Sequence, residues 1–269
     1  MGEKDVSPER LSLPDEQAAD LQQRRFGGLE RLYGLKGAAR IRAAHVVVVG
    51  VGGVGSWAAE ALARSGVGSI TLIDLDHVAE SNINRQVHAL ENTLGQAKVQ
   101  AMRERIALIN PLCHVQCIED FVEPANWPAL LPAGATAVID ACDQMAAKVA
   151  MAAWSLDRGT LLISVGAAGG KKHAHKVDIA DLSQVTHDPL LAQLRYRLRR
   201  YHGAPREGRP IKVTCVFSRE AVAPPDASCA LDGDGTLNCQ GYGSSVAVTA
   251  TFGQCAAGWV IENLSQSSN

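Results

Sequence analysis

Three carboxylates, Asp74, Asp76 and Asp143, stand just past apolar runs in this 269-residue chain, and two cations, Arg85 and Lys98, lie between them. Carboxylates suit a hard, oxygen-seeking cation such as Mg2+, while arginine and lysine suit phosphate oxygens. A dinucleotide site seldom needs a second acid at Asp76 or a cation pair at Arg85 and Lys98. A magnesium-bound triphosphate needs both. The set therefore favours ATP with Mg2+ over NAD as the bound nucleotide.

The elements that must position these groups are written into the same stretch. A β-branched run at 46–49 breaks into Gly50-Val51-Gly52-Gly53-Val54-Gly55-Ser56 and then into helix-forming Trp57-Ala58-Ala59-Glu60-Ala61-Leu62. Gly50, Gly52 and Gly55 occupy the slots of a phosphate-binding turn, where backbone N–H groups and a helix N-terminus face the anion. Asp74 follows a second apolar run at 70–73, the place from which a carboxylate accepts hydrogen bonds from ribose hydroxyls. Further strands are expected at 115–118, 137–140 and 161–165, alternating with helices. Val99, Met102, Ile106 and Ile109 give the helix after Gly95 one apolar face. The fold class is α/β, a Rossmann-like open and mainly parallel sheet with an appended C-terminal substrate and lid region. Strand ends line the crevice in such a sheet, which brings Asp143 toward Gly52 and Asp76. The expected organisation is a polar extension over 1–22, a nucleotide-binding domain over 23–170, and a region for substrate contact, lid and dimer interface over 171–269.

Composition fits a cytoplasmic enzyme: 46% hydrophobic, 20% charged, net charge −2, and a charged N-terminus without an apolar signal core. The segment 244–261 is apolar enough to be scored as a weak membrane span, but its Ala, Gly and Thr content reads better as a buried or dimer-interface helix. The seven cysteines form no C-x-x-C pair, so no zinc is expected.

The motifs G-x-G-G-x-G-S, D-x-D, S-N-x-N-R-Q, G-x-x-K and D-x-x-D, in this order from Gly50 to Asp143, resemble the ubiquitin-activating-enzyme-like superfamily of adenylating enzymes. Its members activate a carboxylate by attack on the α-phosphate of ATP. The resemblance implies an ATP site of Gly50, Gly52, Gly53, Gly55, Ser56, Asp74, Asp76, Asn82, Asn84, Arg85, Gln86 and Lys98. Asp74 would hold the ribose; Asn84, Arg85 and Lys98 would contact phosphates. Asp143 would bind Mg2+ with help from Asp76, and Arg85, Lys98 and Asp143 would be the catalytic set.

Other segments, from Arg25-Phe26-Gly27-Gly28 to Val248-Thr249-Ala250-Thr251-Phe252-Gly253, are similar to the branch that dehydrates threonylcarbamoyladenosine in bacterial tRNA. That branch implies tRNA as partner, a homodimer, and room for a monovalent cation or a cysteine desulfurase system. Gly28 stands where sulfur-carrier activators have an arginine that reaches the partner subunit's ATP; Arg25 and Arg31 are the residues that could substitute, and the sequence does not decide between them. Lys171 and Lys172, with Arg195, Arg199 and Arg200 on a basic helix, are the candidate tRNA contacts. Residue pattern alone suits a solvated cationic face equally well. Cys229 lies in a Pro- and Gly-rich stretch read as a lid, where substrate contact is favoured over covalent catalysis. The alternatives are adenylation of the C-terminal glycine of a sulfur-carrier or ubiquitin-like protein, and a non-catalytic nucleotide-binding partner of a desulfurase.

Overall fold

The computed structural model describes residues 14–206, 208–226, 228 and 242–266. Strand β1 (His45–Val49) is buried over its last four residues, the environment in which an unbroken run of valines makes a central strand. Val46 and Val48 face one core, and Val47 and Val49 face the other. With β2 (Ser69–Ile73), β3 (His114–Ile118), β4 (Ala137–Asp140), β5 (Leu161–Val165), β6 (Val177–Asp181) and β7 (Thr214–Ser218), it forms one seven-stranded sheet of order β3-β2-β1-β4-β5-β7-β6. Only the β6–β7 pair is antiparallel. The five strands expected from the hydrophobic rhythm are all present. Beyond Gly170, β7 pairs with β5, so the described part of residues 171–269 shares the sheet and both cores with the nucleotide half.

Helices α2 (Gly55–Arg64), α3 (Lys98–Ile109) and α6 (Val246–Gln266) pack against one core. Helices α4 (Met145–Arg158) and α5 (Pro189–Tyr201) pack against the other. Helix α1 (Asp15–Ala43), kinked at Gly34, lies against α6. The apolar segment expected at 244–261 is α6, packed along α2 through Val248, Phe252, Ala256 and Val260. Gly253 allows that approach, since a Cβ there would lie 2.5 Å from the Val54 carbonyl oxygen and 2.8 Å from the Ala58 nitrogen. Among the described residues no helix is long and apolar enough to cross a membrane.

Chain order reverses at β1. The chain runs from it to β2 on one side and later returns as β4 on the other. The loops that follow β1 and β4 open onto one crevice, as a topological switch point requires.

Candidate active site

The crevice encloses about 440 Å3, within the range of small-molecule sites. Gly50, Gly52 and Gly53 line it. Gly50 has φ +85°, and a Cβ on it would sit 2.9 Å from the peptide joining Ala141 to Cys142. Gly55 and Ser56 stand behind the turn, and both are buried. A Cβ on Gly55 would fall 1.8 Å from the Gly50 carbonyl oxygen, so this glycine is what lets α2 start against the turn. The Ser56 hydroxyl accepts from the Val87 N–H at 3.4 Å, tying the turn to the segment after Arg85.

Asp74, 8% exposed, accepts from the Val51 N–H at 2.6 Å and the Asp76 N–H at 2.9 Å. It thereby fastens the glycine turn to the end of β2. Burial raises its pKa, opposed by the nearby Lys98 ammonium and by those two N–H groups. Lys98 is nearly buried and donates to Asp76 at 2.7 Å, and its backbone N–H donates to the Asp76 carbonyl at 2.9 Å. The Arg85 guanidinium donates to the Ser81 carbonyl at 2.6 Å and to the Asn84 side-chain oxygen at 3.0 Å. Its own carbonyl accepts from the Trp57 indole at 2.9 Å.

Asn82, Arg85, Gln86, Lys98, Asp74, Asp76 and Asp143 all line the crevice. Asn84 does not: its amide donates to the Ser244 carbonyl at 3.2 Å, holding this loop to the approach of α6. Asp143 sits exposed on the loop after β4, three residues past the last strand residue rather than on the strand.

The donor set bears on Mg2+. Among the described residues no group of three or more His, Cys, Asp or Glu side chains could hold a metal alone. Mg2+ at a phosphate site needs no such group, because one or two carboxylates suffice when phosphate oxygens and water complete the octahedron. Asp143, exposed in the crevice wall, fits that role, while Asp76 is already engaged by Lys98.

Behind the crevice lies a polar cluster that the sequence reading missed. The Lys148 ammonium contacts Asp140 Oδ2 at 3.0 Å, the Val165 carbonyl at 2.7 Å and the Ser164 hydroxyl at 3.3 Å. Lys148 and Asp140 are both fully buried. Burial is the largest influence and opposes the lysine charge, but Asp140, Cys142 and Cys215 together hold the pKa above the ordinary lysine value. One sequence signal was available: Lys148 shares the inward stripe of α4 with Met151, Ala152 and Ser155, where a lysine is out of place.

The remaining candidates divide. Lys171 is 2% exposed and donates to the His187 and Glu220 carbonyls, so its amine faces the protein interior. Arg195 donates to the Leu182 and Val185 carbonyls, and Arg199 to the Pro205 carbonyl. Lys172 and Arg200 are exposed, and Arg200 lies over the rings of Tyr196 and Tyr201. Arg25 donates to the Leu108 and Ile109 carbonyls at the end of α3. Cys229 lies outside the described residues.

Comparison with known proteins gives a consistent picture. A family model described as "ThiF family" matches residues 26–268. The chain is 42% identical over 247 residues to the tRNA threonylcarbamoyladenosine dehydratase of Haemophilus influenzae, covering 91% of this chain and 95% of that protein. It is equally similar, 42% over 255 residues with the same coverage, to the Escherichia coli enzyme of that name. The crystal structure of the Escherichia coli protein in complex with ATP superposes with a TM-score of 0.83 at 42% identity, over 91% of this chain and 95% of that one.

Proposed function

The chain belongs to the ThiF family, and we propose that it dehydrates threonylcarbamoyladenosine in tRNA, using ATP to adenylate the carboxylate whose carbon then closes the ring. The observation that carries this reading is the extent of the similarity. It runs through 91% of the chain, beyond the nucleotide half and through the strands and helices that follow Gly170.

In the first step the threonylcarbamoyl carboxylate attacks the α-phosphorus of ATP, giving an acyl adenylate and pyrophosphate. An internal nucleophile of the modified base then displaces AMP and closes a ring, with net loss of water. The protein's part is to hold, orient and neutralise. Asp74 keeps lone pairs beyond the two that accept Val51 and Asp76, and these receive ribose hydroxyls. Backbone N–H groups of the turn and the start of α2 face the phosphates. Lys98 and Arg85 balance the charge of the departing pyrophosphate. Asp143 would hold Mg2+, which would add charge neutralisation at the phosphates. Of the five candidate tRNA contacts, Lys172 and Arg200 are the exposed ones, and they would meet the tRNA backbone. A cytoplasmic homodimer belongs to the same reading, by family precedent.

The test is AMP and pyrophosphate formation with tRNA carrying threonylcarbamoyladenosine, with a sulfur-carrier protein, and with neither. AMP is expected only with the tRNA, together with a product nucleoside lighter by one water. AMP formation driven by the sulfur carrier instead would replace this reading with the protein-adenylating one.

A further inference from the structure

Lys148 does no work in the reaction described above. It is fully buried on the inward face of α4, behind the crevice wall. Packing gives no reason for it either, since a buried ion pair is often no more stabilising than apolar side chains of the same volume. Its contacts suggest another purpose. Asp140 is the last residue of β4, and Val165 is the last residue of β5. The ammonium bonds both, at Asp140 Oδ2 and at the Val165 carbonyl oxygen. Ser164 completes the tie, accepting from Lys148 and donating to Asp140 Oδ2 at 2.6 Å. Cys142 donates its thiol proton to the other Asp140 oxygen at 3.1 Å.

The position of this tie matters. The paired register of β4 and β5 ends at Asp140 and Ser164; past that point each segment keeps only its other neighbour, Ala141 N–H donating to the Val49 carbonyl and Gly166 N–H to the Val216 carbonyl, before the two loops begin. Residues 141–144, with Asp143, form one wall of the crevice, and residues 166–169 form another. The peptide joining Ala141 to Cys142 is also the surface on which the Gly50 turn rests. A single ammonium therefore sits at the root of both loops, at the point where strand pairing stops holding them together.

We infer that Lys148 is a positioning residue, whose bonds to Asp140, Ser164 and Val165 fix the spacing of the 141–144 and 166–169 loops across the crevice. Asp74 and Lys98, which would hold the nucleotide, come from the end of β2 and the start of α3, outside the loops that the tie joins. Loosening the tie should thus misplace the reacting groups more than it weakens ATP binding. A misplacement of about 1 Å costs on the order of 100-fold in rate.

The assay for this inference rests on the adenylation reading, so one measurement is chosen that does not. In the full-length protein, the double variant Lys148→Met/Asp140→Asn removes both buried charges together; Ser164→Ala, which keeps the ion pair and removes only the hydroxyl bonded to both partners, is the milder second variant. Amide hydrogen exchange, thermal melting, ATP affinity by calorimetry, and kcat and KM for tRNA-dependent AMP formation are compared with the wild type. At the Ala141, Gly166 and Ala167 N–H groups, exchange is expected to quicken at least tenfold, with ATP Kd within about threefold of wild type. The kcat should fall about 100-fold in protein that still melts cooperatively. Unchanged exchange at those three amides overturns the inference whatever the activity. So does wild-type kcat in the folded double variant, or a rise in ATP Kd that matches the loss of kcat. Should the double variant fail to fold, the same criteria apply to Ser164→Ala, with smaller changes expected. A wild type that forms no AMP with modified tRNA refutes the functional reading instead, and leaves the exchange result to decide the role of Lys148.

Discussion

Replacing Lys98 with methionine removes one ammonium from the crevice while keeping a stem of similar length. The local cost to the fold is small, because the partner carboxylate is on the open side of the pair: the Asp76 side chain is 55% exposed and rehydrates once the lysine is gone. Such a half-exposed pair contributes about 1 kcal/mol or less. The cost to catalysis is larger. The Lys98 side chain is 8% exposed, so its charge acts on a bound phosphate with little water between. Two unit charges about 4 Å apart at an effective dielectric of about 20 attract by about 4 kcal/mol. Each 1.36 kcal/mol is tenfold in rate. Arg85 remains and shares the neutralisation, so the expected loss in kcat/KM is about 100- to 1,000-fold. A second signature follows from Asp74, whose pKa burial raises and Lys98 opposes. Without Lys98 the Asp74 pKa rises further, so the acceptor for ribose is lost at a higher pH and the acid limb of the pH profile moves up. Pyrophosphate release measured across pH, beside urea unfolding of the same preparation, tests both statements. A folded variant within tenfold of wild-type kcat/KM, with an unmoved acid limb, refutes the electrostatic role.

Gly55→Ala should open the glycine turn, because the new Cβ would lie 1.8 Å from the Gly50 carbonyl oxygen. Overpacking of this kind costs about 1–3 kcal/mol, and ATP affinity should fall with it; a calorimetric Kd equal to wild type would contradict the role given to this residue. His88 is 1% exposed, and neither ring nitrogen has a hydrogen-bond partner among the described residues. Burial first, then Lys98 and Arg105, lower its pKa to about 4. The unfolded chain therefore takes up the proton first as pH falls below about 6.5, and native stability is lost progressively toward pH 4. Between pH 7.5 and pH 5.0 that loss is about 2 kcal/mol. His88→Leu should keep neutral-pH stability and remove that part of the slope; urea midpoints with the same pH sensitivity in both proteins would rule it out.

The sheet was legible because its signals are local. Five β-branched or apolar runs bounded by glycine, proline or acid gave five strands within one residue of their expected starts. Strand β7 was harder to place, since Thr214-Cys215-Val216-Phe217-Ser218 is short and its partners β5 and β6 are remote in sequence. The residues that line the crevice were legible for a different reason. Glycines at fixed spacing and acids after strands are demanded by a ligand outside the chain, so their order survives in a motif. Asn84 shows the limit of that logic: it belongs to the motif, yet in the structure its amide holds Ser244 rather than facing the crevice.

Charges whose partners lie within the chain leave no such trace. Counting cations from Arg195 to Lys212 suggests a uniform basic surface, but Arg195 and Arg199 each donate to main-chain carbonyls close by. Lys171 likewise spends its ammonium on two carbonyls inside the protein. An arginine bonded to a loop carbonyl and one free to meet a phosphate read identically in sequence, and only the fold separates them. Lys148 is the sharper case. Its partners Asp140, Ser164 and Val165 come from two strands, and nothing in the spacing of 140, 148, 164 and 165 announces that one ammonium closes on all three. A buried cation on an apolar helix stripe is the only local hint. In this fold, then, the motif marks residues that gather in one crevice, and an out-of-place charge marks where two strands behind that crevice are joined by a side chain.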